Sequence, residues 1–232
     1  MKTIGLLGGM SWESSIEYYR IINEVVKQRL GGLHSAQCLM YSVNFAEIEA
    51  LQHAGDWDAL TRQMINAVKR LKAGGADFLV ICTNTMHRMA DEIEAAAGLP
   101  LLHIADATAH AIQTMGLETV GLLGTRFTME DDFYRGRLQA KHGISVIIPG
   151  KRDRETVHHV IYDELVRGKI RAESKAAYQR VIAELAGRGA QGVILGCTEI
   201  PLLIHPSDVA VPIFDTTRIH AEAAVEWAFA GI

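Results

Sequence analysis

The sequence predicts an α/β fold of two similar lobes, each built on a parallel sheet, with a small-molecule active site in the cleft between them. Three observations carry this expectation: an internal duplication, short apolar runs alternating with amphipathic stretches, and distinctive residues placed directly after those runs. Gly5-Leu6-Leu7-Gly8-Gly9 recurs as Gly121-Leu122-Leu123-Gly124-Thr125. The stretch from Gly75 to Thr85 lines up with that from Gly189 to Glu199, and Leu99–Ile104 echoes Val211–Thr216. All three pairs share nearly the same offset and the same order. One apolar strand matches another by chance often, but three in register mark a duplicated half.

Each half has the rhythm of α/β architecture. The short, largely apolar runs Thr3–Leu7, Gln37–Val43, Phe78–Cys82 and Leu101–Ile104 read as strands buried on both faces. Helical periodicity covers Ser15–Leu30 and Trp57–Ala73, the first opened by a capping box at Ser14-Ser15-Ile16-Glu17 and stopped by Gly31-Gly32. In the second half, strands fall near Thr119–Leu123, Ser145–Ile148 and Gly192–Leu195, and helices near Arg154–Arg167 and Glu173–Gly187. The charged run Lys151–Glu155 reads as a solvated turn leading into a helix. Thr217–Ala230 reads as a final helix that packs back on the first half. Such alternation implies right-handed crossovers and parallel sheets, and the duplication implies a pseudo-twofold relation. The expected lobes are residues 1–98 with 209–232, carrying Thr83, and residues 99–208, carrying Cys197.

Composition narrows the function classes. At 232 residues the chain can form one large domain or two of about 115 residues. A net charge of −4 argues against nucleic acid or an anionic membrane as the main partner. Three widely spaced cysteines, Cys38, Cys82 and Cys197, with no CxxC pair, suggest neither a zinc site nor a disulfide framework. Free thiols fit a reducing cytoplasm. The N-terminal apolar run is too short for a signal peptide, and no window reaches the roughly 20 apolar residues of a membrane span.

In open parallel sheets ligands bind beyond the C-terminal strand ends. Four positions therefore become candidates: Gly8–Ser11, Thr83–Thr85, Gly124–Thr125 and Cys197–Glu199. Pro201 suits the first turn of a helix, which places Cys197 at a strand-to-helix junction. A helix N-terminus there is expected to pull the thiol pKa down toward neutrality and make the sulfur a usable base. Thr83 occupies the matching junction. Strand neighbours point to opposite faces, so Cys82, paired with Gly196 in the duplication, is assigned to the core. Gly5–Met10 lacks the G-x-G-x-x-G spacing of a dinucleotide fingerprint, and Asn44 stands where an acidic residue would follow the second strand. The ten histidines form no HxH or HExxH motif. His87 lies one turn beyond Thr83, a placement suited to supporting that junction from behind.

On these motifs, Gly5–Trp12, Cys82–His87 and Leu195–Ile200, the chain resembles the aspartate/glutamate racemase family over its whole length. Within that family it is similar to the enterobacterial-type L-aspartate/glutamate racemases. The resemblance implies two Rossmann-like lobes and racemisation of an amino acid without pyridoxal phosphate or any other cofactor. In that chemistry one base removes the α-proton and its counterpart returns a proton on the opposite face. It assigns deprotonation of the L-enantiomer to the second cysteine, here Cys197. Most relatives carry cysteine at both junctions, so Thr83 is a departure. Its hydroxyl is suited to reprotonating a carbanion but not to starting the reaction. The reaction also needs oriented donors around the α-carboxylate: Asn84, Thr85 and Thr198 form the expected cradle. Glu199 is expected to hold the substrate ammonium, and Met10 and Thr125 to shape the walls. The family places a distal-carboxylate contact near Gln52, and Arg167 is a more remote candidate. No metal ligands are expected; a homodimer is implied by the resemblance alone. A broad-specificity amino-acid racemase, a hydantoin-racemase-like isomerase and a non-catalytic amino-acid or dicarboxylate binder remain alternatives at this point.

Overall fold

Two four-stranded parallel sheets organise the chain in the computed structural model, which describes residues 1–230. The first contains β1 (Ile4–Gly8), β2 (Cys38–Ser42), β3 (Phe78–Ile81) and β4 (Leu101–Leu102), in the order β2-β1-β3-β4. The second contains β5 (Thr119–Gly124), β6 (Ser145–Ile147), β7 (Val193–Gly196) and β8 (Ile213–Asp215), in the matching order β6-β5-β7-β8. The crossovers of the first half use α1 (Trp12–Leu30), α2 (Phe45–Ala54), α3 (Trp57–Ala73) and α4 (Ala90–Ala97). Those of the second use α5 (Ile104–Thr114), α6 (Arg126–Glu130), α7 (Asp132–His142), α8 (Lys151–Asp163) and α9 (Ala172–Gly187), and α10 (Thr216–Phe229) closes the described chain. Among the described residues no helix is long and apolar enough to cross a membrane.

Strand register repeats as the duplication requires. Leu7 lies opposite Ile81 in the first sheet, and Leu123 opposite Leu195 in the second. Val80 lies opposite Leu102, and Ile194 opposite Phe214. Thr83 and Cys197 therefore each stand two residues past equivalent rungs.

Two compact units follow from these sheets: Met1–His103 with the segment from His220 onward, and Ile104–Ile219. This corrects the expected lobe boundaries of 1–98 with 209–232 and 99–208. β4 pairs with β3 and so completes the first unit, while β8 pairs with β7 and completes the second. Helix starts also move. α1 begins at Trp12, where Ser11 Oγ accepts from the Ser14 backbone N–H at 3.3 Å, so the cap lies three residues before the expected box. Lys151–Glu155 opens α8 as the expected helix start, and Leu165–Arg167 is a separate 3-10 turn.

In the first unit the two sheet faces separate by residue parity, as a pleated strand requires. Leu7, Leu79 and Ile81 pack with Ile48, Met64, Val68 and Ile93 from α2, α3 and α4. Ile4, Leu6, Phe78, Val80 and Cys82 face Tyr18, Ile22 and Val26 of α1 and Ala221, Ala224 and Val225 of α10. Gly9 has φ +92 and passes so close to Val43 that a Cβ would collide with that backbone. Only glycine permits that turn.

One buried polar cluster joins these layers. The Tyr18 hydroxyl donates to His220 Nδ1 at 2.9 Å, and His220 Nε2–H donates to the Leu102 carbonyl at 2.9 Å. Both ring nitrogens are thus satisfied in the neutral tautomer. Burial, opposed weakly by the Leu102 bond, pushes the His220 pKa down to about 4. A lowered imidazole pKa means the unfolded chain binds more protons between that value and the ordinary one near 6.5. Stability is then complete above about pH 6.5 and falls as pH drops toward 4, by about 3 kcal/mol for this group alone. Denaturant unfolding from pH 7 to pH 4 is expected to show this loss, and His220→Gln to flatten its share of it. Tyr18→Phe, which strips Nδ1 of its donor, is expected to cost about 1–3 kcal/mol at pH 7.

Candidate active site

In the second unit, β5 and β7 end side by side, with Gly124 opposite Gly196. A Cβ on Gly196 would meet Leu122 Cδ1 and the Leu123 carbonyl at 2.9 Å each, so the side chain that emerges at this strand end belongs to the next residue, Cys197. Its thiol is buried and donates to Glu199 Oε2 at 2.9 Å, and Thr198 Oγ1 donates to the same oxygen at 2.7 Å. Glu199 is itself buried. Across the sheet end, Thr125 caps α6, its Oγ1 accepting from the Thr128 N–H at 3.3 Å. From the start of α10, Thr216 Oγ1 donates to the Leu195 carbonyl at 2.9 Å and fastens the strand that presents Cys197.

The electrostatics reverse the expectation for the thiol. Desolvation is the largest influence and, with the charge and hydrogen bond of Glu199, raises the Cys197 pKa well above that of a free thiol. The backbone N–H groups of Thr198 and Glu199 pull it down, but by less. The helix invoked to lower it is a single 3-10 turn, Ile200–Leu202, which offers few aligned peptide dipoles. Cys197 therefore rests as a thiol, and the group placed to take its proton is Glu199.

In the first unit the corresponding strand end is built differently. Cys82 is buried among Ile4, Tyr18, Phe78 and Val80, and burial alone raises its pKa far above the usual thiol range. Thr83 is half-buried, and its N–H turns back to the Ile81 carbonyl at 2.9 Å, ending the strand. His87 Nδ1–H donates to the Thr83 carbonyl at 2.8 Å. The His87 ring lies 4.6 Å from that of His103 and 5.6 Å from that of His220, so three imidazoles stand behind the threonine. Among the described residues, no group of three or more His, Cys, Asp or Glu is arranged to hold a metal ion.

The other expected residues distribute by unit. Met10, Gln52, Asn84 and Thr85 lie buried in the first unit with Thr83; Thr125, Thr198 and Glu199 lie in the second with Cys197. Gln52 shares the buried face of α2 with Ile48, whose cluster includes Met10 and Met86, and its Oε1 has no protein partner. Arg167 is exposed at the end of its 3-10 turn. The sequence reading missed His103, His220, Thr216 and Thr217. The paired segments Leu99–Ile104 and Val211–Thr216 pointed to the two strand ends where these residues cluster, but residue type alone gave them no role.

Comparison with known proteins places this geometry in context. The family model described as Asp/Glu/hydantoin racemase matches residues 7–224. The crystal structure of a candidate Asp/Glu racemase from Yersinia pestis superposes with TM-score 0.93 at 59% identity, covering 98% of this chain and 99% of that one. An aspartate racemase homologue from Pyrococcus horikoshii OT3 gives TM-score 0.86 at 34% identity, with 98% and 99% covered. The broad specificity amino-acid racemase RacX of Bacillus subtilis (strain 168) is 23% identical over 235 residues, 96% of each chain.

The two contributions of Glu199 can be separated. Glu199→Gln removes the anion beside the sulfur but leaves it buried. The pH midpoint for iodoacetamide alkylation of Cys197, followed by mass spectrometry, is expected to move down in this variant. A midpoint that stays or rises contradicts the assigned electrostatics.

Proposed function

The chain belongs to the Asp/Glu/hydantoin racemase family and is an amino-acid racemase; from that premise we propose that it racemises L-aspartate and L-glutamate by transferring protons on opposite faces of the α-carbon. Cys197 removes the α-proton of the L-enantiomer and Thr83 acts on the other face. The observation that carries this reading is the buried thiol donating to a buried carboxylate at 2.9 Å. A thiol is a base only after losing its proton, and Glu199 is the acceptor in hydrogen-bonding reach.

The steps balance as follows. The Sγ–H proton passes to Glu199, and the thiolate takes the α-proton, becoming a thiol again. The carbanion receives a proton from the Thr83 hydroxyl, directly or through one water. Exchange with solvent then returns a proton to Thr83 and removes one from Glu199. The proposed route uses no cofactor, so the carbanion depends on donors aimed at its carboxylate. Asn84 and Thr85 supply these, and Thr198 does so by turning its hydroxyl from Glu199 to the substrate. Met10 and Thr125 bound the substrate, a Glu199 oxygen accepts a hydrogen bond from its ammonium, and the Gln52 amide N–H donates to the distal carboxylate. Thr83 is far too weak an acid to ionise near neutral pH, so reaction begins efficiently from the L-enantiomer only.

A wider substrate range is the second reading, and one observation favours it. None of the residues in this proposal is Lys or Arg, so no cation is committed to the distal carboxylate. The Bacillus relative is named for broad specificity. Pockets that differ by one methylene discriminate by only about 1–3 kcal/mol, so neutral polar amino acids are the competitors to assay beside aspartate and glutamate.

Chiral chromatography of L-aspartate and L-glutamate incubated with the protein tests the proposal. Cys197→Ala is expected to abolish racemisation, and Thr83→Cys to gain turnover of the D-enantiomers. Retained activity in Cys197→Ala, or an unchanged L/D ratio in Thr83→Cys, contradicts the assigned roles.

A further inference from the structure

We infer that Thr217 is a further substrate-binding residue, its hydroxyl donating to the α-carboxylate of the amino acid that Cys197 deprotonates; this deepens the racemase reading and rests on it. β7 and β8 are parallel neighbours with Leu195 opposite Asp215. Cys197 directly follows β7, and Thr217 lies in the first turn of α10, which starts immediately after β8. The Thr216 hydroxyl, bonded to the Leu195 carbonyl at 2.9 Å, holds the two strand ends together beyond the rung. In the proposed complex the α-carboxylate of a substrate held at Cys197 lies toward the first turn of α10.

The second observation is the state of the hydroxyl itself. Thr217 is 4% exposed, and its Oγ1 has no hydrogen-bond partner in the protein. Its neighbours differ: Thr216 is tied to Leu195, Thr198 to Glu199, and Thr125 to Thr128. The Thr217 backbone N–H is already taken by Asp215 Oδ1 at 3.0 Å, which also accepts from the Arg218 N–H at 3.2 Å. Asp215 is thereby held against the start of α10, and the Thr217 hydroxyl is left as the polar group with bonding capacity to spare. A buried hydroxyl without a partner is a standing cost to the fold. A carboxylate accepts a hydrogen bond from a hydroxyl, and the bond strengthens as charge spreads onto that carboxylate during α-deprotonation. Thr217 thus contributes more in the transition state than in the bound ground state, and deletion should lower kcat as well as binding.

Thr217→Val keeps the shape and removes the hydroxyl; Thr217→Ser keeps the hydroxyl. In the full-length protein, three quantities decide the matter: melting temperature, the Kd for L-aspartate by calorimetry, and kcat/KM for L-aspartate. Thr217→Val is expected to weaken L-aspartate binding about tenfold and to lower kcat/KM by at least as much. Its melting temperature should stay level or rise, because an orphaned polar group has been deleted. Thr217→Ser should recover binding to within about threefold of the wild type. Wild-type affinity and turnover in Thr217→Val overturn the inference, as does a fall in melting temperature that tracks the loss of binding and is not rescued by serine. A wild type that binds L-aspartate yet racemises no acidic amino acid defeats the functional reading, while the Val-to-wild-type ratio of Kd still decides Thr217.

Discussion

One proton lies between a thiol and a carboxylate at the end of β7, and the chemistry proposed for this chain depends on that arrangement. Water is largely excluded from both groups. Burial alone would leave Cys197 as inert as Cys82, a second buried thiol that donates to the Val80 carbonyl at 3.9 Å. The difference between the two cysteines is Glu199, two residues downstream and folded back onto the sulfur. A carboxylate in this place has opposed effects. Its charge holds the thiol protonated at rest, and its basicity gives the proton somewhere to go when the sulfur must act. Resting stability of the thiol and competence as a base are thus set by one side chain.

The duplicated architecture explains why two such different junctions occupy equivalent positions. Parallel pairing in the same register brings residues 83 and 197 to corresponding strand ends, and parity keeps residue 82 in the core. What surrounds them has diverged. The second half keeps a thiol with a carboxylate against it. The first has a hydroxyl whose backbone carbonyl is fixed by His87, in a cluster with two more imidazoles. Burial holds His220 neutral, and its two hydrogen bonds fix the ring between Tyr18 and Leu102.

Much of this was legible in the sequence, because duplication and strand alternation are linear patterns. The equivalence of Thr83 with Cys197, the core placement of Cys82 and the alternation of strands with helices follow from spacing. The direction of the Cys197 pKa did not, since a motif shows that Glu199 is near in sequence but not that its carboxylate turns back into a dry pocket. The helix credited with lowering that pKa proved to be one 3-10 turn, a distinction Pro201 cannot make by itself. Lobe boundaries were misplaced because β4 and β8 are two- and three-residue strands, whose sheet membership is decided by partners rather than by their own sequence. The histidine cluster draws on residues 87, 103 and 220, and no local pattern links them.

Exchange of the α-hydrogen in deuterated water, measured separately from each pure enantiomer by proton NMR or mass spectrometry, addresses the central claim most directly. The proposed mechanism predicts that deuterium enters L-aspartate faster than D-aspartate, and that Cys197→Ala abolishes entry into the L-enantiomer. Faster exchange from D-aspartate, or exchange of L-aspartate that survives loss of the thiol, would contradict it.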